Sequence, residues 1–282
     1  MNQSGDTDDL RVRTRQALLD ALDALHDQLG ALVLIGAQAL YLHTGDVEVA
    51  IPEETKDADI GIDRTKLHED PLIEAAIEAA GFHKDLENPQ PGTWISPDGI
   101  PVDLMVPEAM AGPSASNRRG ARIPPHDNGA MRRATGLEGS VVDNADREIR
   151  SFDPLDDRLF TIRVAGPGAL LVAKLHKIGE RSERESARLR DKDAHDVYRL
   201  LVAVDTEILS EAISRLLGDE ISSAVTEQAL AYLAELFAAG PDSVGSLMAG
   251  RAEEGVGEPD IVAASVSALA SDLLATLRAP LD

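Results

Sequence analysis

The feature that most constrains this chain is a short apolar run that stops at a glycine. Ala31-Leu32-Val33-Leu34-Ile35 ends at Gly36, and Ala37-Gln38-Ala39-Leu40-Tyr41-Leu42 follows. Five apolar residues bounded by glycine read as a buried strand. Gly36 then lets the backbone turn tightly into a helix. Two further apolar segments carry acids. Lys56-Asp57-Ala58-Asp59-Ile60 places carboxylates two residues apart, and Val102-Asp103-Leu104 places another. In a strand, residues two apart share a face, so Asp57 and Asp59 lie opposite Ala58, Ile60 and Ile62.

The remaining pattern gives an α+β chain. Leu18, Leu22, Leu25 and Leu29 recur at helical spacing and predict a helix over 10–29, ended by Gly30. A loop over 43–54 leads to the strand at 58–62, then to a helix over 66–80 closed by Gly81. Short strands are expected at Phe82–Leu86 and Gly92–Ser96. Pro97-Asp98-Gly99 is a turn signal, and 100–106 returns as a strand. The interval 107–150 reads as irregular, with an extra strand near 139–143. Phe160-Thr161-Ile162-Arg163-Val164 alternates and predicts another strand. Gly166-Pro167-Gly168 then opens a helix, with proline where helices tolerate it. Helices are expected over 167–190, 192–204, 206–217, 220–238, 241–250 and 259–277. The expected organisation is a small mixed-sheet domain over 1–165 and a helical bundle over 166–282.

Charge and composition narrow the function. The chain has 282 residues, a formal charge of −23 and no cysteine. Disulfides and thiolate metal sites are thereby excluded. The acidity opposes binding to duplex DNA, which rests on basic surface. Nothing resembles a signal peptide, and no uninterrupted apolar run reaches about 18 residues. No membrane partner is expected, and a cytoplasmic location follows by default.

Carboxylates gathered in dry surroundings are costly unless a cation holds them. Asp57, Asp59 and Asp103 therefore predict Mg²⁺ or Mn²⁺, with an NTP as substrate. Asp57 and Asp59 would bridge two ions, and Asp103 would hold the second and take a proton from the acceptor. The amides of Gly36 and Ala37, at a helix N-terminus, suit a triphosphate, with the Gln38 amide beside them.

A basic stripe follows. Lys174, Lys177, Arg181, Arg184 and Arg188 are three or four apart, while Leu171, Leu175 and Ile178 face a core. Lys174 lies in apolar context and is a candidate phosphate contact. Lys177 and Arg181 are candidate acceptor contacts. The alternative is a solvated face balanced by Glu180, Glu183 and Glu185. Asp193 and Asp196 share a helical face and would orient the phosphate-binding lysine or hold the basic helix in place. His195 has no partner histidine at ligand spacing. Arg118, Arg119, Arg122, Arg132 and Arg133 form a second cluster, which either meets a phosphate-bearing acceptor such as an RNA end or shields acidic surface.

Gly36-Ala37, Lys56-Asp57-Ala58-Asp59 and Val102-Asp103-Leu104 resemble the nucleotidyltransferase superfamily. Ala173-Lys174-Leu175-His176-Lys177, Arg181 and Lys192-Asp193-Ala194-His195-Asp196-Val197-Tyr198 are similar to its AbiEii-type branch, which includes toxins of toxin–antitoxin and phage-defence systems. The resemblance covers roughly residues 30–200. It implies a nucleotidyltransferase domain followed by helices, and NTP plus Mg²⁺ as reactants. It makes Asp57, Asp59 and Asp103 the catalytic carboxylates and gives Lys174 and Asp193 roles at the nucleotide. It further implies a tRNA end or a protein as acceptor, and a cognate antitoxin as partner. Ala37 stands where the family carries Gly or Ser. Two alternatives remain: nucleotidylation of a small hydroxylated molecule such as an antibiotic, and a non-catalytic interaction protein that keeps the fold.

Overall fold

The computed structural model describes residues 3–45, 56–113, 119–184, 187 and 189–279, with side chains from Asp9 onward. Arg118, Glu185, Arg188 and most of the acidic loop before Lys56 lie outside the described residues. The fold is α+β, a mixed sheet followed by helices. It divides into two units. The first comprises Met1–Ala39, Glu54–Leu137 and Asn144–Ala165, and the second Leu40–Glu53, Glu138–Asp143 and Gly166–Asp282.

In the first unit, helix α1 (Gln3–Ala24) precedes strand β1 (Leu32–Leu34) and helix α2 (Gly36–Thr44), whose last turns belong to the second unit. Strand β2 (Ala58–Ile62), helix α3 (Ile73–Ala79), β3 (Thr93–Ile95), β4 (Pro101–Pro107), β5 (Arg132–Ala134), β6 (Asn144–Arg150) and β7 (Leu159–Ala165) complete it. The sheet order is β3-β4-β2-β1-β7-β6, and β5 adds to β4. Strands β2 and β4 are parallel, and β1 runs antiparallel to β2. Ala58, Ile60 and Ile62 of β2, with Val102, Leu104 and Val106 of β4, are fully buried. Helix α1 packs against both strands, with Leu18, Leu19 and Leu22 buried. Each such aliphatic side chain contributes about 1.5–3 kcal/mol by leaving water.

The N-terminal helix stops before its expected end. Beyond Ala24 the chain tightens into a 3-10 turn, His26–Ala31, and buries Gln28. That amide donates to the carbonyls of His68 and Pro71 and accepts from the His68 N–H. Residues 64–80 give a 3-10 turn at Arg64–Lys66, capped by the Asp63 carboxylate accepting from the Thr65 N–H, and a short α3. The expected strand at Phe82–Leu86 reduces to one bridge, His83 to Ile95.

Residues 139–142 form helix α4 (Gly139–Val142) instead of a strand. The turn aims Asp143 at the next helix, where its carboxylate accepts from the Ala169 N–H at 3.0 Å. A Cβ on Gly166 would strike that carboxylate. The strand lies one step later, in β6. Its charged edge sequence Asn144-Ala145-Asp146-Arg147-Glu148 hid it, since only Ile149 of β6 is buried.

The second unit is helical: α5 (Pro167–Arg184), α6 (Asp191–Ala203), α7 (Thr206–Leu217), α8 (Ser223–Leu233), α9 (Val244–Arg251) and α10 (Pro259–Arg278). Helix α8 runs on into a π-turn at Ala234–Ala238. Helix α5 spans Pro167–Arg184 among the described residues, and residues 189 and 190 are not helical, where the sequence predicts a helix to 190. Helix α10 is long and apolar enough to cross a membrane by length and composition. Here it turns one face, Val262, Val266, Ala270 and Leu273, into the bundle against α7 and α9.

Candidate functional site

Strand pairing brings Asp59 and Asp103 side by side. They are register partners across parallel β2 and β4, so their side chains leave the sheet on the same face, away from α1. Asp103 also has a partner on its other side, Thr93 of antiparallel β3. Strand β2 spans Ala58–Ile62, as expected, and Asp57 lies in the bend immediately before it.

Gly36 explains its own identity. Its φ is +68°, and a Cβ there would collide with the Asp59 carboxylate. The Ile35 N–H donates to the Asp59 carbonyl at 3.1 Å, which ties the end of β1 to the acid. The Asp59 carboxylate thus sits at the start of α2, where the helix dipole favours negative charge. An incoming phosphate would meet Asp59 there, and the two anions can share this end only with a cation between them. Gln38, one residue beyond Ala37, is buried. Its side-chain oxygen accepts from Arg15 Nε at 2.8 Å, and its amide nitrogen donates to the Thr14 carbonyl at 3.3 Å. Its side chain is therefore committed to α1. Burial, with Arg11 nearby, pushes the Arg15 guanidinium down to about 10.

Both oxygens of Asp103 have donors. Thr93 Oγ1 donates at 2.6 Å, and Arg132 Nη2 donates at 2.7 Å. Lys84 stands on the opposite face of β3, 3.4 Å from the Trp94 ring centroid, and donates to the Gly129 carbonyl at 2.8 Å. Burial lowers its ammonium to about 8, against the pull of Asp127, Glu78, Asp103 and Glu74.

Carboxylate oxygens in adjacent registers suit Mg²⁺ or Mn²⁺ in kind. Among the described residues, however, no three His, Asp or Glu side chains stand together closely enough to hold a metal ion. Arg132 pairs with Asp103 at 2.7 Å in this structure.

The second acid pair lies in the helical unit. Lys174 is buried, with Nζ 2.5 Å from Asp196 Oδ2 and 3.6 Å from Asp193 Oδ1. Lys177 and Arg181 each reach Asp193 at 2.8 Å. Lys174, Lys177 and Arg181 are therefore balanced by Asp193 and Asp196 of α6. Glu183 instead accepts from the Tyr232 hydroxyl. Burial pushes the Asp193 carboxyl up, but Lys174, Lys177 and Arg181 outweigh it and hold the group below its ordinary value. His195 is buried against Glu253, Nε2 to Oε1 2.9 Å. In the arginine cluster, Arg119 and Arg122 are exposed. Arg133 is tied to Glu108 and to the carbonyls of Ala111 and Gly112.

Sequence reasoning missed Thr93 and Arg132 as partners of Asp103. The hairpin around Pro97-Asp98-Gly99 carried the first signal, because its register sets Thr93 opposite Asp103.

No protein-family model and no curated protein matches the chain. Among solved structures, it is similar to the antibiotic-resistance factor ANT(2'')-Ia, with 12% identity and a TM-score of 0.40 over 79% of this chain and 96% of that one. It is also similar to a protein from H. pylori described as a nucleotidyltransferase, with 12% identity and a TM-score of 0.29 over 95% of this chain and 96% of that one.

Proposed function

We propose that the face bearing Asp59 and Asp103 transfers a nucleotide from an NTP to a hydroxyl of a small cationic molecule. The observation that carries this is the pairing of Asp59 with Asp103 in register, with Asp59 pressed against Gly36 at the start of α2. A helix start, a glycine without a side chain and adjacent carboxylates are what a metal-bound triphosphate needs from a protein. A divalent ion arriving with the triphosphate would take Asp59 and Asp103 as its protein ligands; it would supply neutralisation of phosphate charge and a more acidic acceptor hydroxyl. In the transfer, the acceptor oxygen bonds to the α-phosphorus and the bond to the bridging oxygen of the β-phosphate breaks. Pyrophosphate leaves. Asp103 takes the hydroxyl proton, which gives it the role of general base.

The choice of acceptor rests on where the cations are spent. Lys174, Lys177 and Arg181 are paired with Asp193 and Asp196, and Arg132 and Arg133 with Asp103 and Glu108. Arg119 and Arg122 stay exposed, but a polyanion such as tRNA needs a broader run of spare cations. A chain of charge −23 instead attracts a cationic acceptor. In this reading Lys174 and Asp193 act within the helical unit, and the nucleotide role that the resemblance gives them is not required.

The test is incubation with each α-labelled NTP and Mg²⁺, in parallel with cationic polyhydroxylated small molecules, total RNA and total protein. Label on a small molecule, with stoichiometric pyrophosphate, is the expected result. Label on RNA or protein would bring back the AbiEii-type reading, with its antitoxin. Absence of pyrophosphate release in every arm would favour a non-catalytic interaction protein.

A further inference from the structure

A cleft of about 380 Å³ opens at the start of β1, where Gly30 precedes the strand, while the Gly36 turn lies beyond the strand's other end. That volume suits a small ligand. Leu29, Gly30, Lys66, Asp146, Thr161 and Arg163 line the cleft, and all belong to the first unit. Asp146 of β6 and Arg163 of β7 are direct partners in the antiparallel ladder, so their side chains leave the same face. Opposite charges in that relation ordinarily pair. Arg163 turns instead to Asp63 and Gly30. Its Nη1 donates to Asp63 Oδ2 at 3.0 Å and its Nη2 to the Gly30 carbonyl at 2.8 Å. Its Nε is buried without an acceptor among the described residues. Asp146 is exposed and has no cation partner among the described residues. Lys66 reaches Asp63 at 3.9 Å, the long end of an ion pair, and is 52% exposed.

Charge in the cleft is therefore divided. Lys66 and Arg163 gather around the single acid Asp63, which leaves one positive charge over, and Asp146 is the unmatched negative charge. We infer that this cleft binds a small zwitterion, an apolar α-amino acid, with its carboxylate toward Lys66 and Arg163 and its ammonium toward Asp146. A simple anion would meet repulsion from Asp146, and a simple cation would meet it from Lys66 and Arg163. A zwitterion answers both. One carbon separates the two charges of an α-amino acid. That matches side chains on directly opposed residues of one ladder, whose Cβ atoms stand about 5 Å apart. The ligand carboxylate brings an acceptor to the Arg163 side of the cleft, and the exposed Thr161 hydroxyl can bond either end of the ligand. Leu29 offers the apolar surface for the ligand's side chain. The inference is independent of the nucleotidyl-transfer reading, since it uses neither Asp59 nor Asp103.

The experiment titrates the isotope-labelled full chain with leucine, with isocaproate (leucine without its ammonium) and with isopentylamine (leucine without its carboxylate). Amide shifts of Gly30, Thr161 and Arg163 report binding by nuclear magnetic resonance. Leucine should shift these amides to saturation, and each single-charge analogue should bind about tenfold more weakly, the order expected when one charge-assisted hydrogen bond is lost. Lys66→Gln and Asp146→Asn change exposed side chains, and each is checked for an unchanged melting transition. Both should weaken leucine about tenfold. Asp146→Asn should leave isocaproate no weaker, and Lys66→Gln should leave isopentylamine no weaker, a crossover that mere loss of structure would not produce. Absence of a saturable shift with leucine overturns the inference. So does an analogue that binds as tightly as leucine, which would make the cleft a plain anion or cation site. Leucine bound equally by wild type and both variants would place it elsewhere and overturn the inference as well.

Discussion

Asp193 and Asp103 are both carboxylates held by cations, yet the two settings differ in what they allow. Asp193 is 6% exposed and has three cations within 3.6 Å. Its neighbour Asp196 is fully buried against Lys174. Asp103 has Arg132 as its ion-pair partner, and both groups reach water, at 13% and 29% exposure. Charges taken fully out of water must keep their partners, because losing one leaves the other unsolvated. A pair at the solvent edge contributes little and exchanges readily. The helical cluster is therefore held more tightly than the Arg132–Asp103 pair.

The widest gap between the two regions should appear in stability. Asp196→Ala leaves Lys174 buried beside a weakened partner set and should cost about 3–5 kcal/mol. Asp103→Ala should cost about 1 kcal/mol or less. Urea denaturation of both variants measures the difference, and equal losses would break the comparison.

Gly36→Ala is expected to have an intermediate effect. The left-handed φ of +68° costs an alanine about 1–2 kcal/mol. Its Cβ would also push Asp59 out of register with Asp103. Triphosphate binding should fall along with the melting temperature. A variant that melts like wild type would mean that Asp59 yields easily, which weakens the argument for a rigid face.

The smallest effect is a pH dependence. The cations around Asp193 depress its carboxyl in the folded state. Its contribution is therefore fully present above the ordinary carboxylate value of about 3.9 and is lost as pH falls through the lower folded value. Urea midpoints of wild type should drop in that acid window more steeply than those of Asp193→Asn. Parallel curves would show that the three cations do not act on Asp193 as a unit.

Much of this was legible in the sequence because it depends on local spacing. The apolar alternation at Ala58, Ile60 and Ile62 gave β2, and Gly166-Pro167-Gly168 gave the start of α5 within a residue. The later helices lie within a few residues of their expected ranges. What escaped depended on partners distant in the chain. Strand β6 is a charged edge strand with one buried residue, so no apolar pattern announces it. Arg132 and Arg133 look alike in sequence. The strand sends one to Asp103 and the other to Glu108, and only the pairing of β5 with β4 separates them. The basic stripe was visible, but the counter-charges of Lys174, Lys177 and Arg181 come from α6, across a helix–helix contact that spacing does not encode.

The most direct test of the central claim is calorimetric titration of an NTP into wild type, Asp59→Asn and Asp103→Asn, each with Mg²⁺ and again with EDTA. If the paired aspartates at Gly36 form the site, wild type binds only with Mg²⁺. Asp59→Asn then loses at least about tenfold in affinity, equivalent to about 1.4 kcal/mol, while all three proteins melt alike. Equal affinity with and without EDTA, or an Asp59→Asn variant that binds like wild type, would contradict it.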